Sequence, residues 1–246
     1  MVKVARWTAL AVMLTWAAGV VLRAGGGQQS VTSGPDRLAE MRHHFLQVTL
    51  IYEAVIRGDL AAIRAPATEL SALPTPPGLP ATGAPFVEAI RAAGRQAMVA
   101  TQLDAAAAPV AAMLAQCGEC HRTAGIFPSP STRTYPDVGG VVGHMLEHQR
   151  AADELLQGLL IPSDSRWLQG AERLRTATLS PAELPPDPKL TSEVRKAESA
   201  VHALADRAAA ASTSAERAAV YVDLATTCAQ CHSLHRQIWG PKTVTN

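Results

Sequence analysis

All four cysteines of the chain fall in two copies of one five-residue pattern, Cys-Gly-Glu-Cys-His at 117–121 and Cys-Ala-Gln-Cys-His at 228–232, 111 positions apart. Each copy follows an alanine-rich stretch, DAAAAPVAAMLAQCGECHR (104–122) and SAERAAVYVDLATTCAQCHS (214–233). Counting back from the first cysteine by three, four and seven gives Leu114, Met113 and Val110 in one copy. The other copy gives Ala225, Leu224 and Tyr221. Both are apolar stripes at helical spacing that end on a cysteine. A chain that presents one pattern twice, each time at the end of a helix, is expected to fold as two related helical units.

The repeat extends upstream. MRHHFLQVTLIYEAVIRGDL (41–60) aligns with MLEHQRAADELLQGLLIPSD (145–164), matching Met41 and His44 to Met145 and His148. Helix breakers divide each half into four segments. The first half gives 36–57, 59–72, 84–99 and 103–122, and the second gives 139–161, 164–178, 188–211 and 213–236. Asp59 and Ser163 suit N-caps, while Gly125 and Gly240 suit the stops of the last helix in each half. Abundant alanine, 4% aromatics and no Val/Ile/Thr/Tyr alternation argue against strands. The expected fold class is all-α: two tandem four-helix-bundle domains, 36–126 and 139–241, joined by a Pro/Ser/Thr/Gly-rich linker at 127–138. Short connections favour up-down-up-down packing. That topology would carry Met41 and His44 toward Cys117–His121, and Met145 and His148 toward Cys228–His232.

Residues 1–27 read as an export segment. Lys3 and Arg6 precede an uncharged, mostly apolar run from Trp7 to Leu22, followed by the small residues Ala24–Gly27. A cleaved signal peptide and a retained membrane anchor through 7–22 both fit, and either would place the remainder outside the cytoplasmic membrane, in the periplasm. The formal net charge is +1. Lys3, Arg6 and Arg23 precede the first acid, Asp36, so a chain without this leader would carry about −2. Neither value supplies the basic stripe of a nucleic-acid binder.

Cys-x-x-Cys-His is the attachment signature of c-type haem. Two thiols three positions apart add to the two vinyl groups of one porphyrin, and the adjacent imidazole reaches the iron. Cys117, Cys120, Cys228 and Cys231 are the candidate thioether donors, and His121 and His232 the candidate proximal ligands of two haem c groups. Two rivals compete. A single zinc site would draw on cysteine pairs more than a hundred residues apart, where paired zinc motifs usually lie within ~20 residues. Disulfides suit an exported chain but need no histidine after each pair.

The sixth ligand is sought on the first helix of each half. Met41, His44, Val48, Ile51 and Val55 share one face, as do Met145, His148, Ala152, Leu155 and Leu159. His44 and His148 are the leading distal candidates, because burying an imidazole without a partner costs on the order of 1–3 kcal/mol. Met41 and Met145 come second, and thioether sulfur would raise the reduction potential. The bland alternative makes these four residues core filler or solvated surface. His43 and His144 fall off the shared register and are expected in solvent. His202 and His235 have no repeat counterpart and receive no role.

These features resemble the cytochrome c-prime superfamily of four-helix-bundle cytochromes, which carry Cys-x-x-Cys-His near the end of helix 4. The resemblance covers roughly 36–126 and 139–241. It implies haem held inside each bundle, with Met on helix 1 in low-spin electron carriers and an apolar residue there in high-spin gas binders. The chain departs by offering His beside Met. The expected function is an exported dihaem cytochrome c, not an enzyme, passing single electrons between redox proteins such as membrane-bound respiratory or photosynthetic complexes. A protein binding NO or CO and a dihaem peroxidase are the alternatives; for the latter, Glu147 is the one acid near the matched stripe.

Overall fold

A computed structural model describes residues 34–76, 79–129 and 133–239, with side chains from 38 to 234. The expected leader at 1–27 and the stop at Gly240 lie outside the described residues. Eight α-helices follow in order: α1 (Gly34–Arg57), α2 (Leu60–Ser71), α3 (Ala84–Met98), α4 (Leu103–Ala124), α5 (Gly140–Leu160), α6 (Asp164–Thr176), α7 (Pro188–Ala210) and α8 (Ser214–Trp239). Short 3-10 turns at Ala81–Gly83 and Pro181–Glu183 precede α3 and α7. The described residues contain no strand. None of their helices is long and apolar enough to cross a membrane.

The helices begin and end where their polar residues dictate. The Asp59 side chain accepts from the Ala62 N–H at the start of α2, and Ser163 accepts from the Arg166 N–H at the start of α6. Such caps satisfy backbone donors that have no partner within the helix. Asp187 caps α7, with Pro188 supplying the fixed φ that suits a first helical position. Gly125 ends α4 with φ of 65°, and the Ile126 N–H turns back to the His121 carbonyl at 2.9 Å. A left-handed residue that closes the last turn in this way is the usual glycine stop.

The apolar stripes face inward. Val48, Ile51 and Val55 of α1 are buried, as are Ala152, Leu155 and Leu159 of α5. Val110, Met113 and Leu114 of α4 and Tyr221, Leu224 and Ala225 of α8 line the same interior. These residues belong to one continuous core to which both halves of the sequence contribute, and the described chain falls within one compact unit. Within each half, consecutive helices pack as neighbours. Across the halves, α4 packs along α8, α1 meets α8, and α4 meets α5. The segment between the halves is tied down as well. The Tyr135 hydroxyl donates to Asp153 of α5, and Arg150 donates to the Tyr135 carbonyl at 3.1 Å.

Candidate functional site

The two five-residue patterns occupy the last turns of α4 and α8. Residues three apart share a helical face, so each cysteine pair is presented side by side. All four thiols are free and half-buried. Burial pushes the Cys117 and Cys228 thiols up to about 12, with the neighbouring Cys120 and Cys231 sulfurs adding to the effect. Burial also raises Cys120 and Cys231. At neutral pH these are protonated thiols, unlike the reactive thiolates of redox enzymes.

Each motif histidine is anchored by the other half of the chain. Nδ1 of His121 lies 3.0 Å from the Leu160 carbonyl at the end of α5. Nδ1 of His232 lies 3.2 Å from the Ile56 carbonyl near the end of α1. Ile56 and Leu160 are equivalent positions, each fifteen residues after Met41 or Met145. The two bonds therefore form a reciprocal pair. A carbonyl only accepts, so both rings carry a proton on Nδ1, and in the neutral ring the lone pair falls on Nε2. An imidazole oriented in this way is ready to ligate a metal. Burial lowers the His121 pKa, and the Leu160 carbonyl partly opposes it.

In the second half the expected approach of helix 1 to the motif is partly realised. His148 lies close enough to His232 for its protonation to be disfavoured, though burial and His144 are the larger causes of a pKa lowered to about 4. The His148 imidazole is therefore neutral at ordinary pH, and its Nε2 is buried without a hydrogen-bond partner. In the first half His44 lies 3.9 Å from Glu40, while exposed His43 pairs with Glu69 at 3.1 Å. Burial, then His43, lowers the His44 pKa. Met41 and Met145 are both half-buried. Among the described residues, no hydrogen bond or ion pair joins His44 to the Cys117–His121 segment.

His144 corrects an expectation. It is not solvated but 7% exposed, with Nε2 3.2 Å from Oε2 of Glu198 on α7. Its ring centroid lies 4.2 Å from that of His148, one turn along α5. The carboxylate compensates the burial, which a reading of α5 alone has no means of anticipating. Glu198 also lies 3.6 Å from His202, whose Nε2 is 2.9 Å from the Ala177 carbonyl. Burial works to raise the Glu198 pKa, but the hydrogen bond and charge of His144 outweigh it and hold the carboxyl low. Glu198 and His202 carried no sequence assignment because neither has a counterpart in the repeat. Their i, i+4 spacing, shared with His144 and His148, was the available signal.

The donor sets agree with the group the sequence suggests. Each motif offers two thiols on one face and an imidazole anchored through Nδ1, and His148 offers a buried, unpartnered Nε2 near His232. Glu147, the acid nearest the matched stripe, pairs with Arg150 and, at 2.9 Å, with Arg173. Comparison with protein-family models, curated proteins and solved structures finds no match for this chain.

Proposed function

We propose that this chain is an exported dihaem c-type cytochrome that carries single electrons between redox proteins. Its two four-helix repeats are fused through a shared core. Cys117 and Cys120 would hold one haem and Cys228 and Cys231 the other, with His121 and His232 as proximal ligands. The carrying observation is the reciprocal anchoring of the two motif histidines on the Leu160 and Ile56 carbonyls, which orients both rings through the same nitrogen, Nδ1.

When bound, the haems would supply a one-electron Fe(III)/Fe(II) couple. The protein's part is to hold and insulate them. The cysteines of each motif would hold the porphyrin to the helix through two thioether bonds. The carbonyls of Leu160 and Ile56 orient the imidazoles and, by accepting the Nδ1 proton, make Nε2 the better donor. Val110, Met113 and Leu114 in one half, and Tyr221, Leu224 and Ala225 in the other, exclude water from the turns leading to each motif. His44 with Met41 and His148 with Met145 are the residues that would be candidates for the second iron ligand. Glu147 is committed to two arginines, which argues against an acid-base role of the kind a peroxidase requires.

The test is expression of the full chain in a host that attaches haem c. Denatured protein should retain haem stain and exceed the polypeptide mass by two haem groups. A Cys117→Ser/Cys120→Ser variant should keep one of the two. Colourless protein at the bare polypeptide mass would sink the reading. Pigment that binds carbon monoxide at either iron would redirect it to gas binding.

A further inference from the structure

We propose that His144, His148 and Glu198 form a separate binding site for a divalent transition-metal ion, with zinc the best-matched occupant. One ligand atom from each of the three residues lies within 4.8 Å of the others. Around a tetrahedral ion, donors about 2.0–2.2 Å from the metal stand roughly 3.3–3.6 Å apart, so small side-chain rotations close the set. The donors are of the right kind. Two imidazoles and one carboxylate suit zinc and its borderline neighbours, while hard ions such as calcium prefer oxygen alone. Three protein ligands leave a fourth position for water.

Two buried atoms indicate that something is missing from this cluster. Nε2 of His148 and Oε1 of Glu198 are inaccessible to solvent, and neither has a hydrogen-bond partner. Burying a polar atom without a partner is costly. The two atoms belong to two of the three proposed ligands, and one ion would satisfy both.

The surroundings support the ligands as metal sites require. His144 and His148 are i, i+4 on α5, so one helix face delivers both rings. Glu198 is flanked by His202 at 3.6 Å, and His202 is steadied by the Ala177 carbonyl at 2.9 Å. A cleft of about 300 Å³, lined in part by Leu184, Val194, Glu198 and His202, opens against this cluster and provides an approach for the ion.

Among the described residues, the first half holds no such cluster. Position 40, which aligns with His144, is Glu40, and it lies 3.9 Å from His44. Among the described residues, the ion site therefore belongs to the second half. It does not depend on the haem reading, but it commits His148 to the ion and would leave Met145 as the remaining candidate iron ligand in that half.

The experiment uses the full chain, matured and stripped of loose metal with a chelator. Elemental analysis after equilibration with zinc should find one zinc per chain, counted separately from iron. Cobalt(II) in its place should give the visible bands of a tetrahedral site. Glu198→Gln and His144→Asn should each weaken zinc binding by more than about 10-fold while leaving iron content unchanged. Wild-type protein that takes up no zinc and gives no cobalt spectrum overturns the proposal. So does zinc binding unaffected by either substitution. A His148→Met variant whose haem spectrum changes, in protein whose wild type binds no zinc, would assign His148 to iron instead. Absence of iron would count against the haem reading alone, because zinc stoichiometry is read independently.

Discussion

The rings of Tyr52 in α1 and Tyr221 in α8 stack with centroids 5.3 Å apart and planes inclined by 28°. Both side chains are within 2% of complete burial, so α1 and α8 meet at a dry aromatic contact. Tyr52 also lies close enough to Cys228 for the two to influence each other's ionisation. The second motif is thus supported partly by the first half of the sequence.

This contact predicts how the chain unfolds. Truncating a buried aromatic to alanine costs about 3–5 kcal/mol. Tyr52→Ala should therefore destabilise the second half as well as the first, with both melting in a single cooperative transition. Urea denaturation followed by circular dichroism and by haem absorbance would show it. Two separated transitions, with only the first moved by Tyr52→Ala, would mean the halves are independent.

The two motifs differ at their second position, and the structure shows why. A Cβ on Gly118 would overlap the carbonyl oxygen of Leu159 in α5, whereas the equivalent Ala229 is accommodated at 2% exposure. Gly118→Ala should force α4 away from α5, loosen the His121–Leu160 bond and cost on the order of 1–3 kcal/mol. Ala229→Gly should cost only the helix-propensity difference, about 0.5–1 kcal/mol. Thermal melts of the two variants should fall in that order. Equal losses would rule out backbone contact as the reason for glycine.

Local chemistry accounts for what was legible in the sequence. Asp59, Ser163 and Gly125 act through bonds to residues at most a few positions away, so the helix ends they set could be read directly. The stripes through Ile51 and Leu155 encode burial by their period alone. Long-range pairing was not legible. His121 meets Leu160 and His232 meets Ile56 across 39 and 176 positions, and connectivity within one half says nothing about either. His144 was misplaced for the same reason: its carboxylate partner comes from α7, 54 residues away. Repetition guides the search for ligands; it sets His202 aside because it has no repeat partner and never brings Glu198 into view.

At the start of α8 an exposed carboxylate contributes to stability in acid. Glu216 accepts from the N–H groups of Ser212 and Thr213, each at 2.9 Å, while the Thr213 hydroxyl accepts from the Glu216 N–H at 3.2 Å. These backbone donors hold the Glu216 carboxyl down at about 2, below its ordinary 4.5. Because the folded value is the lower one, the ionised cap stabilises the fold fully above pH ~4.5 and is lost as pH falls toward 2. Glu216→Gln keeps the acceptor oxygen and removes the titration. Its melting temperature should therefore fall less steeply than that of wild type between pH 4.5 and 2. Parallel curves would show that the carboxylate does not carry the cap.

The reciprocal histidine bonds give the most direct check on the proposed function. His121→Gly and His232→Gly each remove one imidazole and leave the cysteine pair beside it intact. Covalent pigment should persist in both variants, since attachment runs through the thiols. Each should change the spectrum of one haem while leaving the other as in wild type, and added imidazole should restore the altered half. Recovery requires the free imidazole to enter the vacated space and donate again to Leu160 or Ile56. The same ligand should therefore also recover part of the stability lost, because it returns a partner to a carbonyl whose burial without one costs on the order of 1–3 kcal/mol. Spectral recovery without any gain in melting temperature would separate the iron from the carbonyl anchor, and would remove the structural reason for reading His121 and His232 as a matched pair.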